Sequence, residues 1–200
     1  MESIRSFIAI ELPEEFKAEL TSVEDRLKSS RYPFVKWVNP SGIHLTLKFL
    51  GNIRAEEITD ITDALTDVAH RASPFQLGFG ELGAFPNLKR PRVVWVGMKG
   101  DIEKLATLQR EVESALAPLG FPAELRRFTP HLTLARLREG ISPIERENFG
   151  KLVASTTFHS KLVFEVDAIN LMRSQLSSTG AIYNQLAVIA LSKGGNQREG

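Results

Sequence analysis

The sequence predicts an α+β protein with a bilobal, duplicated fold and pseudo-twofold symmetry. Each lobe is expected to be a small antiparallel sheet with helices on its outer face, and the active site is expected in the cleft between lobes. Three observations lead there. The tetrapeptide His-Leu-Thr-Leu occurs at 44–47 and again at 131–134. The same shift of 87 residues brings much of the remaining chain into register. The aligned stretches alternate between strand and helix periodicity. Short repeats stack into solenoids, whereas two copies of a longer unit suggest two lobes, and ligand sites favour the clefts between such halves. The expected organisation is a single domain over residues 1–191, with repeats of about 5–91 and 92–191. Residues 192–200, which hold three glycines and little apolar material, are expected to be a flexible tail.

The elements follow in order. Arg5 to Ile10 falls on Arg92 to Gly97, and both read as short strands. Phe16, Leu20, Val23 and Leu27 fall over Ile102, Leu105, Leu108, Val112 and Leu116, whose 3- and 4-residue spacing marks amphipathic helices. A further helix follows each His-Leu-Thr-Leu. The first carries Ile58, Ile61, Leu65 and Val68; the second opens on Ser142-Pro143-Ile144-Glu145, a capping box with proline at the first helical position. Phe75, Leu77 and Phe79 then fall on Leu162, Phe164 and Val166, with strand alternation. A last strand runs from Tyr183 to Leu191. Gly83 to Pro91 and Ser174 to Gly180 read as matching loops.

Composition bounds the function. The chain has 200 residues, 25 Lys plus Arg against 24 Asp plus Glu, and 42% apolar residues. That is the profile of a globular domain rather than a disordered one. There is no cysteine, which excludes disulfides, thiolate-ligated zinc and a thiol nucleophile. No apolar run approaches the roughly 18 residues of a membrane span. Arg5 to Ile10 is too short for a secretory core and is followed at once by acidic residues. The default expectation is a cytoplasmic protein with no membrane association and no obligate protein partner. A net charge of +1 means that any nucleic-acid site must be a local basic patch.

Side chains alternate along a strand, so His44 and Thr46 share one face and Leu45 and Leu47 the other; His131 and Thr133 are opposed in the same way to Leu132 and Leu134. Two imidazoles facing across a cleft form an acid and base pair, since one can be charged while the other is neutral. Two threonine hydroxyls suit a group with two equivalent free oxygens, such as a phosphodiester. A lone His on a strand is usually structural, but two identical copies within a drifted duplication favour function. Zinc needs three or four ligands; no Asp or Glu stands at ligand spacing from either motif, and His70 and His159 fall at helix ends, so no metal and no cofactor is expected. No Gly-rich phosphate loop is present. Lys48 shares a face with His44 and Thr46 and is a weak candidate for phosphate contact. Arg136 has the planar fork that suits phosphate, yet simple alternation puts it opposite His131, so a bend is required. Arg126 and Arg127, and Lys89, Arg90 and Arg92, are two basic clusters able to meet a nucleic-acid backbone. Trp37, Phe49, Phe85 and Phe128 lie near the motifs and could stack a base; Trp95 reads as core.

These motifs carry a family likeness. The His-x-Thr-x pair at His44–Leu47 and His131–Leu134 resembles the two-histidine phosphoesterase superfamily. Arg5-Ser-Phe-Ile-Ala-Ile, Trp37-Val, His44-Leu-Thr-Leu-Lys-Phe-Leu-Gly51, Pro91-Arg-Val-Val-Trp-Val-Gly97 and Pro130-His-Leu-Thr-Leu-Ala-Arg136 resemble its bacterial and archaeal RNA 2′,3′-cyclic phosphodiesterase branch, also called LigT-like or 2′-5′ RNA ligases. The likeness runs from about Arg5 to about Leu191. It implies the bilobal fold and metal-independent hydrolysis of RNA 2′,3′-cyclic phosphate ends, tRNA fragments among them, to 2′-phosphates, with 2′-5′ ligation as the reverse reaction. By the same resemblance His44 is the proton donor, His131 the proton acceptor, and Thr46, Thr133 and Arg136 bind phosphate. Two alternatives stand beside it: a phosphodiesterase for small cyclic nucleotides, ADP-ribose cyclic phosphates or 2′-5′ oligoadenylates, and a non-catalytic RNA-end-binding module.

Overall fold

The computed structural model describes residues 3–177 and 180–192. The elements run β1 (Ser3–Glu11), α1 (Glu14–Lys28), β2 (Val35–Trp37), β3 (His44–Arg54), α2 (Glu57–Arg71), β4 (Phe75–Phe85), β5 (Val93–Gly100), α3 (Ile102–Leu116), β6 (His131–Leu137), α4 (Pro143–Ser155), β7 (Val163–Val166), β8 (Ala168–Ser177) and β9 (Gly180–Ala190). Ser142 caps α4 through the reciprocal bonds of the capping box, with Pro143 at the first helical position. The tail expected at 192–200 lies outside the described residues except for Ser192. None of the described helices is long and apolar enough to cross a membrane.

Two antiparallel sheets form, ordered β3-β1-β8-β9 and β2-β6-β5-β4-β7. The first takes β1 and β3 from the front of the chain and β8 and β9 from its end. The second takes β2 and β4 from the front half and β5, β6 and β7 from the rear. Each half of the sequence thus lends strands to the other half's sheet, and the sheets do not follow the boundary near residue 91. Helices cross over too. The Phe16 ring of α1 packs on Phe79 of β4 at 4.3 Å and on Phe164 of β7 at 4.7 Å. Gln109 and Glu113 of α3 reach β3 of the first sheet.

Leu45, Leu47, Leu132 and Leu134 are all buried and belong to one continuous core that takes in all four helices. The two leucine faces therefore share a single interior rather than filling separate lobes. The opposite faces, bearing the histidines and threonines, look away from it.

Two strands escaped the sequence reading. β2 is only three residues long. β8 runs through Ile169, Asn170, Leu171 and Met172, all buried, because it is a central strand covered on both faces. Burial on both sides removes the alternation by which a strand is recognised. The loop expected at Ser174 to Gly180 is also shorter, since Ser174 to Ser177 remain paired in β8.

Leu45→Ala or Leu132→Ala, each deleting a fully buried side chain of the shared core, is expected to cost about 2–5 kcal/mol. Urea unfolding should show a lower midpoint with an unchanged slope.

Candidate active site between the sheets

A cleft of about 1110 Å³ separates the two polar faces, and His44, Thr46, His131, Thr133 and Arg136 all line it. Register explains how. Glu11 opposes His44 and Ala9 opposes Thr46, but Ile8 opposes Lys48, so Leu47 is an extra residue in β3. In β6, Trp95 opposes Thr133 and Val94 opposes Ala135, so Leu134 is the extra residue. Leu47 and Leu134 are themselves 87 residues apart. A bulge of this kind lets two residues face one partner and reverses the alternation beyond it.

The bulge in β6 is the bend that Arg136 required. Leu134 and Ala135 both point into the core, and Arg136 emerges exposed on the cleft side with His131. The same device in β3 overturns the expectation for Lys48. The reversal turns Lys48 inward, where it is 2% exposed. Its ammonium pairs with Glu113 of α3 and donates to the Pro122 carbonyl at 2.8 Å. Lys48 is among the residues lining the cleft, but its ammonium is engaged in holding β3 to α3 and to the segment leading towards β6. The position that faces the cleft is Phe49, 61% exposed, which stands where Arg136 stands in the other strand.

The two histidines are held alike. His44 Nδ1 donates to the Gly42 carbonyl at 2.9 Å, and His131 Nδ1 donates to the Thr129 carbonyl at 2.7 Å. A carbonyl can only accept, so Nδ1 carries the proton in both rings and Nε2 is the atom left for chemistry. Their surroundings differ. His44 stacks on Phe7 at 4.5 Å and meets the edge of Tyr183 at 4.8 Å. His131 meets Phe85 at 4.9 Å and Trp95 at 6.2 Å. Burial pushes His44 down to about 4, against a smaller opposing pull from the Gly42 bond. Burial also lowers His131; the Thr129 bond opposes this, and the positive charge of Arg136 lowers it further. The free cleft therefore holds two neutral imidazoles at neutral pH. Neither the Thr46 nor the Thr133 hydroxyl has a hydrogen-bond partner among the described residues, so both remain available as donors.

Trp95 is not core. It opposes Thr133 across the β5–β6 pair, so it stands on the histidine face, with its ring against Phe85 and over Gly83, where a Cβ would overlap it. Phe85, Phe128, Arg92, Arg126 and Arg127 line the cleft as well, whereas Trp37 packs on Phe149 away from it. Sequence reasoning missed Phe7, Tyr183 and Arg5 as cleft residues. For Arg5 a signal existed, because the repeat aligns it with Arg92. Phe7 and Tyr183 come from strands whose neighbours only the sheet order reveals. His70 sits in the last turn of α2 and His159 follows α4, outside the cleft. Among the described residues, no three His, Asp or Glu side chains gather as a metal site.

Two apposed antiparallel sheets that present paired His-x-Thr faces to one cleft define a class of phosphoester-handling folds. A sequence profile of the 2′-5′ RNA ligase superfamily matches residues 12–177, and the chain belongs to that family. It is 31% identical over 188 residues to an RNA 2′,3′-cyclic phosphodiesterase of Methanothermobacter thermautotrophicus, covering 94% of this chain and 99% of the relative. It is 34% identical to one of Aquifex aeolicus, covering 74% and 77%. Among solved structures, a Thermus thermophilus protein superposes with a TM-score of 0.74 and Escherichia coli LigT complexed with 3′-AMP with 0.70. Each is 27% identical, with 96% of this chain and 99% of the other covered.

Two outcomes are expected. In the free protein, NMR titration should place the His44 charge change near pH 4 and that of His131 below its ordinary 6.5, with inorganic phosphate raising both. Glu113→Leu, which strands a buried ammonium, should destabilise the protein by about 3–5 kcal/mol, and adding Lys48→Met should recover most of the loss; chemical denaturation of the single and double variants measures both.

Proposed function

We propose that this protein hydrolyses RNA 2′,3′-cyclic phosphate ends to 2′-phosphates by metal-independent, two-histidine acid–base catalysis. The observation that carries the reading is the convergence of both His-x-Thr pairs and Arg136 on one cleft. The activity named for relatives of similar length supports it. Thr46, Thr133 and Arg136 hold the non-bridging oxygens of the cyclic phosphate. His131 Nε2 takes a proton from water as the water oxygen attacks phosphorus. The bond from phosphorus to the 3′ oxygen breaks, and His44 Nε2 gives that oxygen its proton. The product carries a 2′-phosphate and a 3′-hydroxyl. A ribose hydroxyl in place of water joins two ends through a 2′-5′ linkage by the same proton transfers. Ends left on cleaved tRNA are substrates of this chemistry, and a chain without cysteine acting on them suits the cytoplasm.

Electrostatics supports the division of labour on one side and sets a condition on the other. Burial, with a smaller contribution from the Arg136 charge, keeps His131 neutral, as a base must be. Burial strips His44 of its proton in the free cleft, so the acid form depends on the substrate's negative charge to draw the proton back. Proton uptake therefore accompanies binding.

His44→Ala and His131→Ala should each lower turnover of a 2′,3′-cyclic-phosphate oligonucleotide by about 10²–10⁴-fold with the circular dichroism spectrum unchanged. Chelator should leave the wild-type rate intact; loss restored by a divalent ion would replace the mechanism with a metal-assisted one. The pH profile of kcat/KM, which reports free-enzyme groups, should peak on the acid side of 6.5, and that of kcat at higher pH.

A further inference from the structure

A second cavity, of about 830 Å³, lies against α4 on the other side of the loop that joins β4 to β5. Lys89, Arg90, Arg146 and Lys151 surround it over an apolar floor that includes Leu88 and Ile141. Its one carboxylate, Glu147, already holds Lys151 at 2.8 Å. Lys89 and Arg90 make no ion pair and no side-chain hydrogen bond among the described residues; only their backbone N–H groups are engaged, both donating to Asn87 Oδ1. Two cations thus stand at the loop tip without a close ionic partner, although Lys89 acts at longer range on Glu147.

The loop links this groove to the cleft. Phe85, Pro86, Arg92 and Val93 at its two ends line the cleft, while Leu88, Lys89 and Arg90 at its tip line the groove. It is also pinned in place. Arg146 donates to the Pro91 carbonyl at 2.7 Å, and the loop lies so close to α4 that a Cβ at Gly150 would overlap the Leu88 carbonyl. The groove is therefore built before any ligand arrives, and like the cleft across the loop it is lined by more cationic than anionic side chains.

We propose that this basic groove receives the RNA strand leading away from the cyclic phosphate end, with Lys89 and Arg90 contacting phosphates that lie beyond the reacting one. The proposal rests on the RNA-end reading of the cleft. A polyanionic strand is the occupant because it alone supplies negative charge at intervals and is already held in the cleft by its terminus. Charge-neutralising contacts of this kind are independent of sequence and sensitive to salt.

The test compares wild type with K89E/R90E on two substrates, a mononucleoside 2′,3′-cyclic phosphate and an oligonucleotide of about ten nucleotides with the same end, within the roughly 4–16 nucleotides that single-strand grooves track. The double variant should turn over the mononucleotide as wild type does, which also reports an intact fold. On the oligonucleotide its kcat/KM should fall by about tenfold or more at low salt. The slope of log affinity against log salt should shrink by about 1.4, or roughly 0.7 for each lost phosphate contact. An oligonucleotide response equal to wild type, with R126E/R127E weakened instead, sends the strand out over the opposite rim and overturns the proposal. Anisotropy with a labelled 2′-phosphate-ended oligonucleotide separates the two readings: if wild type turns over neither substrate but binding still weakens in K89E/R90E, the groove stands and the RNA-end chemistry fails; binding insensitive to the reversal overturns the groove.

Discussion

One extra residue in each histidine-bearing strand governs the rest of the site. The bulges at Leu47 and Leu134 reverse the alternation of β3 and β6 at equivalent places. Before each bulge, His and Thr face the cleft while Leu fills the core. After it, a single side chain rejoins the cleft face, and there the two repeats part company: one presents the guanidinium of Arg136, the other the ring of Phe49. A fold with near-twofold symmetry thereby gains a chemically one-sided cleft. His131 works beside a positive charge, and His44 works among aromatic rings. The two sides of the cleft therefore differ in chemistry although the repeats that form them are alike.

The same bulges account for what stands behind the cleft. In β6 the inward residue after the bulge is Ala135, which fits the core without further provision. In β3 it is Lys48, and an ammonium in an apolar interior is tolerable only with partners. Glu113 supplies the charge, Pro122 supplies a carbonyl, and Gln109 donates to the other Glu113 oxygen and to the Leu47 carbonyl of the bulge itself. The polar cluster thus clamps the irregular point of β3 to α3 and to the segment that leads on to His131.

Most of the helices and the two motif strands were legible in the sequence because each presents one face to the core and one to solvent. Phe16, Leu20, Val23 and Leu27 bury along α1 as their spacing requires, and Ser142 and Glu145 close the α4 capping box. The convergence of His44 and His131 was legible because the repeat doubled a pattern that a single copy would have left ambiguous. What alternation could not convey were departures from alternation. Lys48 and Arg136 were assigned to the wrong faces by parity, since a bulge leaves no mark in residue type. Trp95 reads as core by its size and its apolar neighbours, and only the pairing with Thr133 puts it under His131. β8 was hidden by burial on both faces, and with it went the knowledge that the end of the chain completes the first sheet.

The exchange of strands between halves sets the order in which a newly made chain can mature. Ala9 and Asn170 are 161 residues apart in the chain yet joined by a hydrogen bond between neighbouring strands. At about 5–20 residues per second of synthesis, β1 waits roughly 8–30 s on the ribosome before its second partner exists. Once β3 has been made, the antiparallel pair of β1 and β3 offers an unpaired strand edge to anything nearby until β8 follows, and such edges invite wrong partners. Pairing over so long a separation also slows the final closure. A nascent chain of this design is most vulnerable just before its last strands emerge, and assistance from chaperones has its greatest leverage there.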